Sequence, residues 1–271
     1  MYRAKKRFGQ HFLNDNEILK AIVQNADLQK NDIVWEIGSG LGALTDHLLN
    51  HHVNLTIFEI DNDLVPSLRS KYSDKCVIVH GDVLRVDWKA CLPPLPLIKE
   101  GEVKIVTNLP YQISSPFLYK LTEHHKMFHS IVVMLQKEVA KRLCALPGKK
   151  EYGVLTLKTK FYFDTEYLFE VSRNKFTPPP EVESAVIKLV PRKDIPEIEN
   201  IKLFWNIVET AFRSRRKTLR NNLKGMMDIK HLSNSTIHEG DLNIDLNRRG
   251  ETLSEEEFIT LYNFIFQFVN G

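Results

Sequence analysis

Asn108-Leu109-Pro110-Tyr111 follows directly on the strand-like run Lys104-Ile105-Val106-Thr107, and these four residues could do chemistry. Proline has no N–H and biases the residue before it toward extended backbone. The Leu109 carbonyl is then left without a helical partner and can point into a crevice. The Asn108 side-chain oxygen is a second acceptor for the same spot, and Tyr111 supplies a flat face beside it. Such a place suits an exocyclic amino group on a nucleobase, whose nitrogen is a poor nucleophile because its lone pair is delocalised into the ring. Two acceptors gripping its hydrogens would favour a pyramidal nitrogen and stabilise positive charge as it develops. Stacking on Tyr111 would hold a flipped base for in-line attack. No strong general base is required, since the proton can leave after the group has been transferred. Taken alone, the tetrapeptide also reads as an ordinary strand-ending turn.

A second group lies upstream. Glu36-Ile37-Gly38-Ser39-Gly40-Leu41-Gly42 sits between a strand and a helix. Glycines there let the backbone turn tightly and approach a ligand, beside amides at the helix N-terminus. Glu59 ends the next strand, roughly 20 residues on, where a carboxylate can accept both hydroxyls of a ribose. Asp82, in Gly81-Asp82-Val83, ends a third strand and can accept from an adenine amino group. The ligand expected is therefore nucleoside-bearing. Gly38-x-Gly40-x-x-Ala43 also satisfies the looser dinucleotide fingerprint, so a nicotinamide-dependent oxidoreductase stays open.

The elements that must hold these residues are legible as alternating signals. Apolar strands are expected at 33–37, 55–60, 77–80, 103–107 and 131–135, with a further strand at 182–190. Helical stretches separate the first ones: one capped by Asn14-Asp15 with Ile18, Leu19, Ile22 and Val23 inward, one through Leu44, Leu48 and Leu49, one through Leu64 and Leu68. Short, near-continuous apolar strands between helices predict an α/β, doubly wound, mostly parallel Rossmann-like sheet covered on both faces. Past a linker at 191–196 the pattern turns helical, at 204–227 and 253–269. The reading is a catalytic, ligand-binding domain over 1–194 and a small all-helical domain over 195–271.

The 271 residues are 43% hydrophobic and 26% charged, ordinary for a globular protein, and no apolar run is long enough to span a bilayer. The N-terminus is charged and shows no secretory h-region, and three scattered cysteines without a CxxC pair suit a reducing cytoplasm. The net charge of +3 says little, but its distribution says more. Arg3, Lys5, Lys6 and Arg7 crowd the start, and on one helix Arg213, Lys217, Arg220 and Lys224 would form a single stripe. Cationic patches on a nearly neutral body can follow a phosphate backbone, positioning RNA without reading its sequence. A solvated tail and helix face would carry the same charges. Phe204, Val208, Phe212, Leu219 and Leu223 would form the apolar face beside that stripe. His51-His52, His124-His125 and His129 lack metal-ligand spacing and read as surface residues; no metal is expected. Nothing demands more than a monomer.

Taken together, the motifs resemble a known family closely. Arg7-Phe8-Gly9-Gln10-His11-Phe12-Leu13, the glycine loop, Glu59, Gly81-Asp82, Asn108-Leu109-Pro110-Tyr111, Gln136-Lys137-Glu138-Val139-Ala140, Phe176-Thr177-Pro178-Pro179-Pro180 and Arg215-Arg216-Lys217-Thr218-Leu219-Arg220 occur in order over nearly the whole chain. That order resembles the ribosomal RNA adenine dimethyltransferases of the bacterial small-subunit type. The resemblance implies S-adenosylmethionine as methyl donor and, as substrate, two adjacent adenosines near the 3′ end of 16S rRNA, each dimethylated on its 6-amino group. A role in small-subunit biogenesis is implied with it. By analogy Gln10, His11 and Leu13 lie at the methionine end, Gly38 and Gly40 form the loop, Glu59 and Ile60 lie at the ribose, and Asp82 and Val83 at the adenine. Asn108 would touch donor and target, and Phe176 would be a second aromatic beside the target base. A sister branch methylates 23S rRNA and confers macrolide resistance, typically with isoleucine at the position of Leu109. A non-enzymatic assembly factor is a third reading.

Overall fold

The structure, a computed structural model, describes residues 4–5, 8–90, 100–226 and 242–270. Arg3, Lys6 and Arg7 of the expected basic arm lie outside the described residues, as does the proline-rich stretch 93–96. The chain divides into two compact units, Met1–Cys144 with Tyr162–Lys193, and Ala145–Phe161 with Asp194–Gly271.

The first unit is built on a sheet whose strands are β2 (Ile33–Ile37), β3 (Asn54–Glu59), β4 (Val77–His80), β5 (Val103–Asn108), β6 (Phe128–Gln136), β7 (Phe163–Val171) and β9 (Ser184–Pro191). Their order is β4-β3-β2-β5-β6-β9-β7. The first five run parallel, β9 is antiparallel to β6, and β7 is antiparallel to β9. All five residues of β2 are buried, as a strand covered on both faces requires. Chain order reverses between β2 and β5, the switch point at whose carboxyl edge open α/β sheets bind ligands. A separate two-stranded ribbon pairs β1 (Phe12–Leu13) with β8 (Phe176–Thr177). The helices of this unit are α1 (Asn16–Asn25), α2 (Ala43–Leu49), α3 (Val65–Tyr72), α4 (Ser114–Glu123) and α5 (Lys137–Cys144). Asp15 caps α1, accepting from the N–H groups of Glu17 and Ile18. The α/β, mostly parallel class expected from the sequence is what the chain forms. β7, with exposed and half-buried residues through its middle, gave no apolar run to announce it.

The second unit contains α6 (Val154–Tyr162) as far as Phe161, with α7 (Ile201–Phe212), α8 (Leu219–Leu223) and α9 (Glu255–Asn270). Ala145–Phe161 belongs here although it precedes the 194/195 boundary read from sequence. The reason is packing: Phe161 meets Phe204 at 5.4 Å and Trp205 at 5.3 Å between centroids, and the Tyr152 hydroxyl donates to the Leu253 carbonyl.

Two expectations are corrected. No continuous helix runs from 204 to 227: α7 stops at Phe212, and α8 begins only after Thr218. Asn222 Nδ2 donates to the Ala211 and Ser214 carbonyls, satisfying the end of α7, and Thr218 Oγ1 caps α8. Arg213, Lys217, Arg220 and Lys224 are all exposed but do not form one helical stripe. The apolar face survives the break, with Phe204, Val208, Leu219 and Leu223 fully buried. His124 and His125 are half-buried rather than surface residues, lying against Trp88 and Tyr162, and burial lowers both imidazole pKa values.

Candidate active site

Four strand ends converge at the switch point, and local bonds explain their spacing. Thr107 of β5 donates through its hydroxyl to the Ile37 carbonyl at 2.7 Å, drawing the ends of β5 and β2 together. The Gly38 N–H donates to the Phe58 carbonyl at 2.7 Å, and the Gly81 N–H to that of Glu59 at 2.9 Å, drawing in β3 and β4. Between them opens a cavity of about 330 Å³, within the range of small-molecule sites (~300–1,000 Å³). It is lined by Gly38 and Gly40 of the loop, by Glu59 and Ile60, by Asp82 and Val83, and by Asn108, Leu109, Pro110 and Tyr111. From the N-terminal segment, Gln10, His11 and Leu13 line the same cavity.

The loop takes its shape from glycine. Gly38 has φ +71° and Gly40 φ +59°, left-handed values that burden any other residue. A Cβ on Gly38 would lie 2.9 Å from Pro110 Cγ, and one on Gly40 2.9 Å from the Phe12 ring. Loop, proline and N-terminal segment are thus in closest approach around the cavity.

Glu59 is buried, and each carboxylate oxygen receives one backbone donor, the Gly40 N–H at 3.1 Å and the Asp61 N–H at 2.9 Å. Further lone pairs remain to accept hydroxyls. Burial raises its pKa, and the backbone donors oppose that rise without cancelling it. Asp82 Oδ1 accepts from the Leu84 N–H at 2.9 Å, which fixes the carboxylate at the mouth of its turn.

The N-terminal segment is strapped across the opening at both ends. Gln10 Nε2 donates to Asp61 Oδ2 at 2.8 Å, while Lys5 Nζ bridges Asp61 and Asp63 at 2.5 and 2.6 Å. Lys5, read as a cation free to meet RNA, is therefore engaged in pinning the strap. At the other end His11 Nδ1 meets the Pro178 carbonyl at 2.8 Å, and Asn14 Nδ2 donates to Thr177 Oγ1 at 2.7 Å. The His11 ring lies against Tyr111, 5.9 Å between centroids at 25°. Asn108 Nδ2 points at the His11 carbonyl, 3.5 Å away. Among the described residues none donates to the Leu109 carbonyl.

Phe176 is not brought to the cavity. It is 3% exposed, pairs across from Leu13, and packs in the core with Leu19 and Val171. Its register with β1 makes it a support for the strap, and the aromatic ring that reaches Tyr111 is that of His11. Two other side chains have partners that the sequence does not announce. Glu36 lines the cavity, buried, with the Thr45 hydroxyl donating to it at 2.6 Å. Lys120 Nζ donates to the carbonyls of Val83, Leu84 and Val86 at 2.8–3.0 Å, and it sits 4.6 Å from the centre of the Trp88 ring. One ammonium thus winds the Asp82–Trp88 turn around itself. Neither role could be read from spacing, because the partners come from different elements.

A sequence model described as ribosomal RNA adenine dimethylase matches residues 1–265. The chain belongs to this family. Members of it transfer methyl groups from S-adenosylmethionine to adenine in rRNA, and this chain is such a methyltransferase; the oxidoreductase reading of Gly38-x-Gly40-x-x-Ala43 falls away. The chain is 43% identical to a "Ribosomal RNA small subunit methyltransferase A" of Syntrophotalea carbinolica, over 97% of each protein. It superimposes on a dimethyladenosine transferase from Plasmodium falciparum with a TM-score of 0.78 and 26% identity, covering 96% of this chain and 98% of that one. A 23S rRNA methyltransferase, ErmE, gives a TM-score of 0.68 and 25% identity over 94% and 100%. The cavity fits the donor in its chemistry: a glycine cradle without Cβ atoms, a buried carboxylate with spare lone pairs for a ribose, and a second carboxylate beyond it. No helix among the described residues is long and apolar enough to cross a membrane.

Proposed function

We propose that this chain dimethylates the 6-amino groups of two adjacent adenosines near the 3′ end of 16S rRNA, in the cytoplasm, as part of small-subunit biogenesis. The observation that carries this reading is the meeting of Asn108, Leu109, Pro110 and Tyr111 with the glycine loop, Glu59 and Asp82 around one cavity. S-adenosylmethionine supplies an electrophilic methyl group when bound. Glu59 and Ile60 hold the ribose, Asp82 and Val83 the adenine, and Gln10, His11 and Leu13 enclose the methionine end under the strap, with Gly38 and Gly40 admitting the backbone to the ligand.

On the target side, the Asn108 side-chain oxygen and the Leu109 carbonyl accept from the 6-amino hydrogens. Their partial charges stabilise the cation that develops as the nitrogen takes the methyl group. Tyr111 holds the flipped base by stacking. The N–H proton then leaves, and a second round follows at the same nitrogen. Phe176 serves by holding β1, not by touching the base. The exposed Arg213, Lys217, Arg220 and Lys224, carried on a helix end, a turn and α8, contact the RNA backbone and set its register.

The small-subunit branch is supported by the relative's name and by Leu109, against the 23S alternative. The test is Asn108→Ala assayed on small-subunit particles that lack the modification. Transfer should fall by about 10²–10³-fold, the size of effect seen when one preorganised polar group is removed from a charged transition state, while donor binding partly survives. Transfer at the normal rate would end the assignment. Mass spectrometry of rRNA from cells lacking the protein should show dimethyladenosine lost from 16S rRNA and retained wherever 23S rRNA carries it.

A further inference from the structure

We propose that Ser184 is a positioning residue for methyl transfer, its hydroxyl holding the Tyr111 phenol and so fixing the position of the aromatic ring on which the target adenine stacks; this rests on the functional reading above. Ser184 opens β9 and is fully buried, followed along the strand by Ala185, Val186 and Ile187, which are buried as completely. A hydroxyl in such surroundings must find a partner or carry the cost of desolvation. Its partner is the Tyr111 hydroxyl, 2.5 Å away.

Tyr111 needs that tether. Its backbone lies in the short turn Tyr111–Ile113 that follows Pro110, outside the sheet ladder and before α4. Side chains have several staggered χ1 wells, so the backbone alone does not place the ring, and a bond to the phenol oxygen at its far end selects one of them. The His11 ring lies alongside, but it belongs to the strap and sits where strap and ligand meet. Ser184 is anchored differently. It is in register with Gln136 of β6 and Val171 of β7, on the far side of β6 from the strand that ends in Asn108. The tether therefore ties the stacking ring to a part of the sheet that donor binding does not involve. The ring's position is set before either ligand arrives, which is the preorganisation that positioning of a base demands.

The test is a double-substitution cycle on full-length protein, with Ser184→Ala, Tyr111→Phe and both together, assayed on unmodified small-subunit particles. Each single change should lower kcat about three- to ten-fold, the range for one hydrogen bond, leaving the dissociation constant of S-adenosylmethionine unchanged. The pair together should cost no more than either alone, since both remove the same bond. A merely structural serine would still lower kcat in the Tyr111→Phe background and would weaken donor binding. Losses that multiply, or Ser184→Ala working at the wild-type kcat, overturn the proposal. Should Ser184→Ala not fold, Tyr111→Phe removes the bond from the other side, and its full activity overturns the proposal equally. Wild-type protein that transfers no methyl group to small-subunit RNA sinks the functional reading instead, so the two failures stay apart.

Discussion

Glu36 sits beside the ligand cavity with its carboxyl sealed from water and the Thr45 hydroxyl as donor to one oxygen. Burial pushes its pKa from 4.5 up to about 8; the Thr45 hydrogen bond opposes the rise, and the nearby Glu59 carboxylate adds to it. The sign of the consequence follows. Between those two values the folded state holds a proton that the unfolded state has lost, so stability declines as pH rises from about 4.5 to about 8. The slope approaches ~1.4 kcal/mol per pH unit, and Glu36→Gln should remove it. Urea denaturation of both proteins at intervals from pH 5 to pH 8 reads the difference directly, and parallel curves would refute the buried, protonated carboxyl. At this scale the sequence was informative wherever a residue's type and its place at a strand end sufficed: Asn108, Glu59 and Asp82 all line the cavity. It was uninformative where a role depends on a distant partner, as for Lys120 around the Val83 turn or Ser184 against Tyr111. Phe176 shows the same limit from the other side. An aromatic residue entering a strand can face a ligand or a core, and only the pairing with Leu13 decides for the core.

Among the elements, the β2–α2 loop couples backbone shape to ligand chemistry most tightly. Gly40 offers its N–H to Glu59, has a left-handed φ of +59°, and by lacking a Cβ leaves room for the Phe12 ring. Gly40→Ala should therefore act twice, through left-handed strain of ~1–3 kcal/mol and through displacement of the strap by a Cβ. We expect the midpoint of thermal unfolding to fall and S-adenosylmethionine affinity, read by calorimetry, to drop more than ten-fold. An alanine variant binding the donor normally would show that the loop relaxes freely. This loop was legible because strand, glycines and helix follow in one local run. The break between α7 and α8 was not, because the periodicity of Phe204, Val208, Leu219 and Leu223 continues through it. What ends α7 is a set of side-chain and backbone bonds: Asn222 to the Ala211 and Ser214 carbonyls, and the N–H groups of Leu219 and Arg220 to the carbonyls of Arg248 and Leu246. Those last partners lie far along the chain, beyond any window of helical periodicity.

The division of the whole chain makes a sharper test than its boundary read from sequence. Every described residue lining the cavity precedes 114, so the first unit holds all of the proposed donor site. Cutting at 194 would nevertheless leave Ala145–Phe161 behind without Phe204, Trp205 and Leu253, against which Phe161 and Tyr152 are buried. Exposed apolar area of that kind favours aggregation. A fragment of residues 1–194 should accordingly bind a hydrophobic dye and associate in solution. The same fragment with residues 145–161 replaced by a flexible Gly/Ser linker should stay monomeric and bind S-adenosylmethionine like the full chain, because it removes the orphaned face and no cavity residue. Light scattering and calorimetry on the two fragments distinguish the cases. If the uncut 1–194 fragment is as well behaved as the linker version, residues 145–161 fold with the sheet, and the boundary near 194 is a simple one.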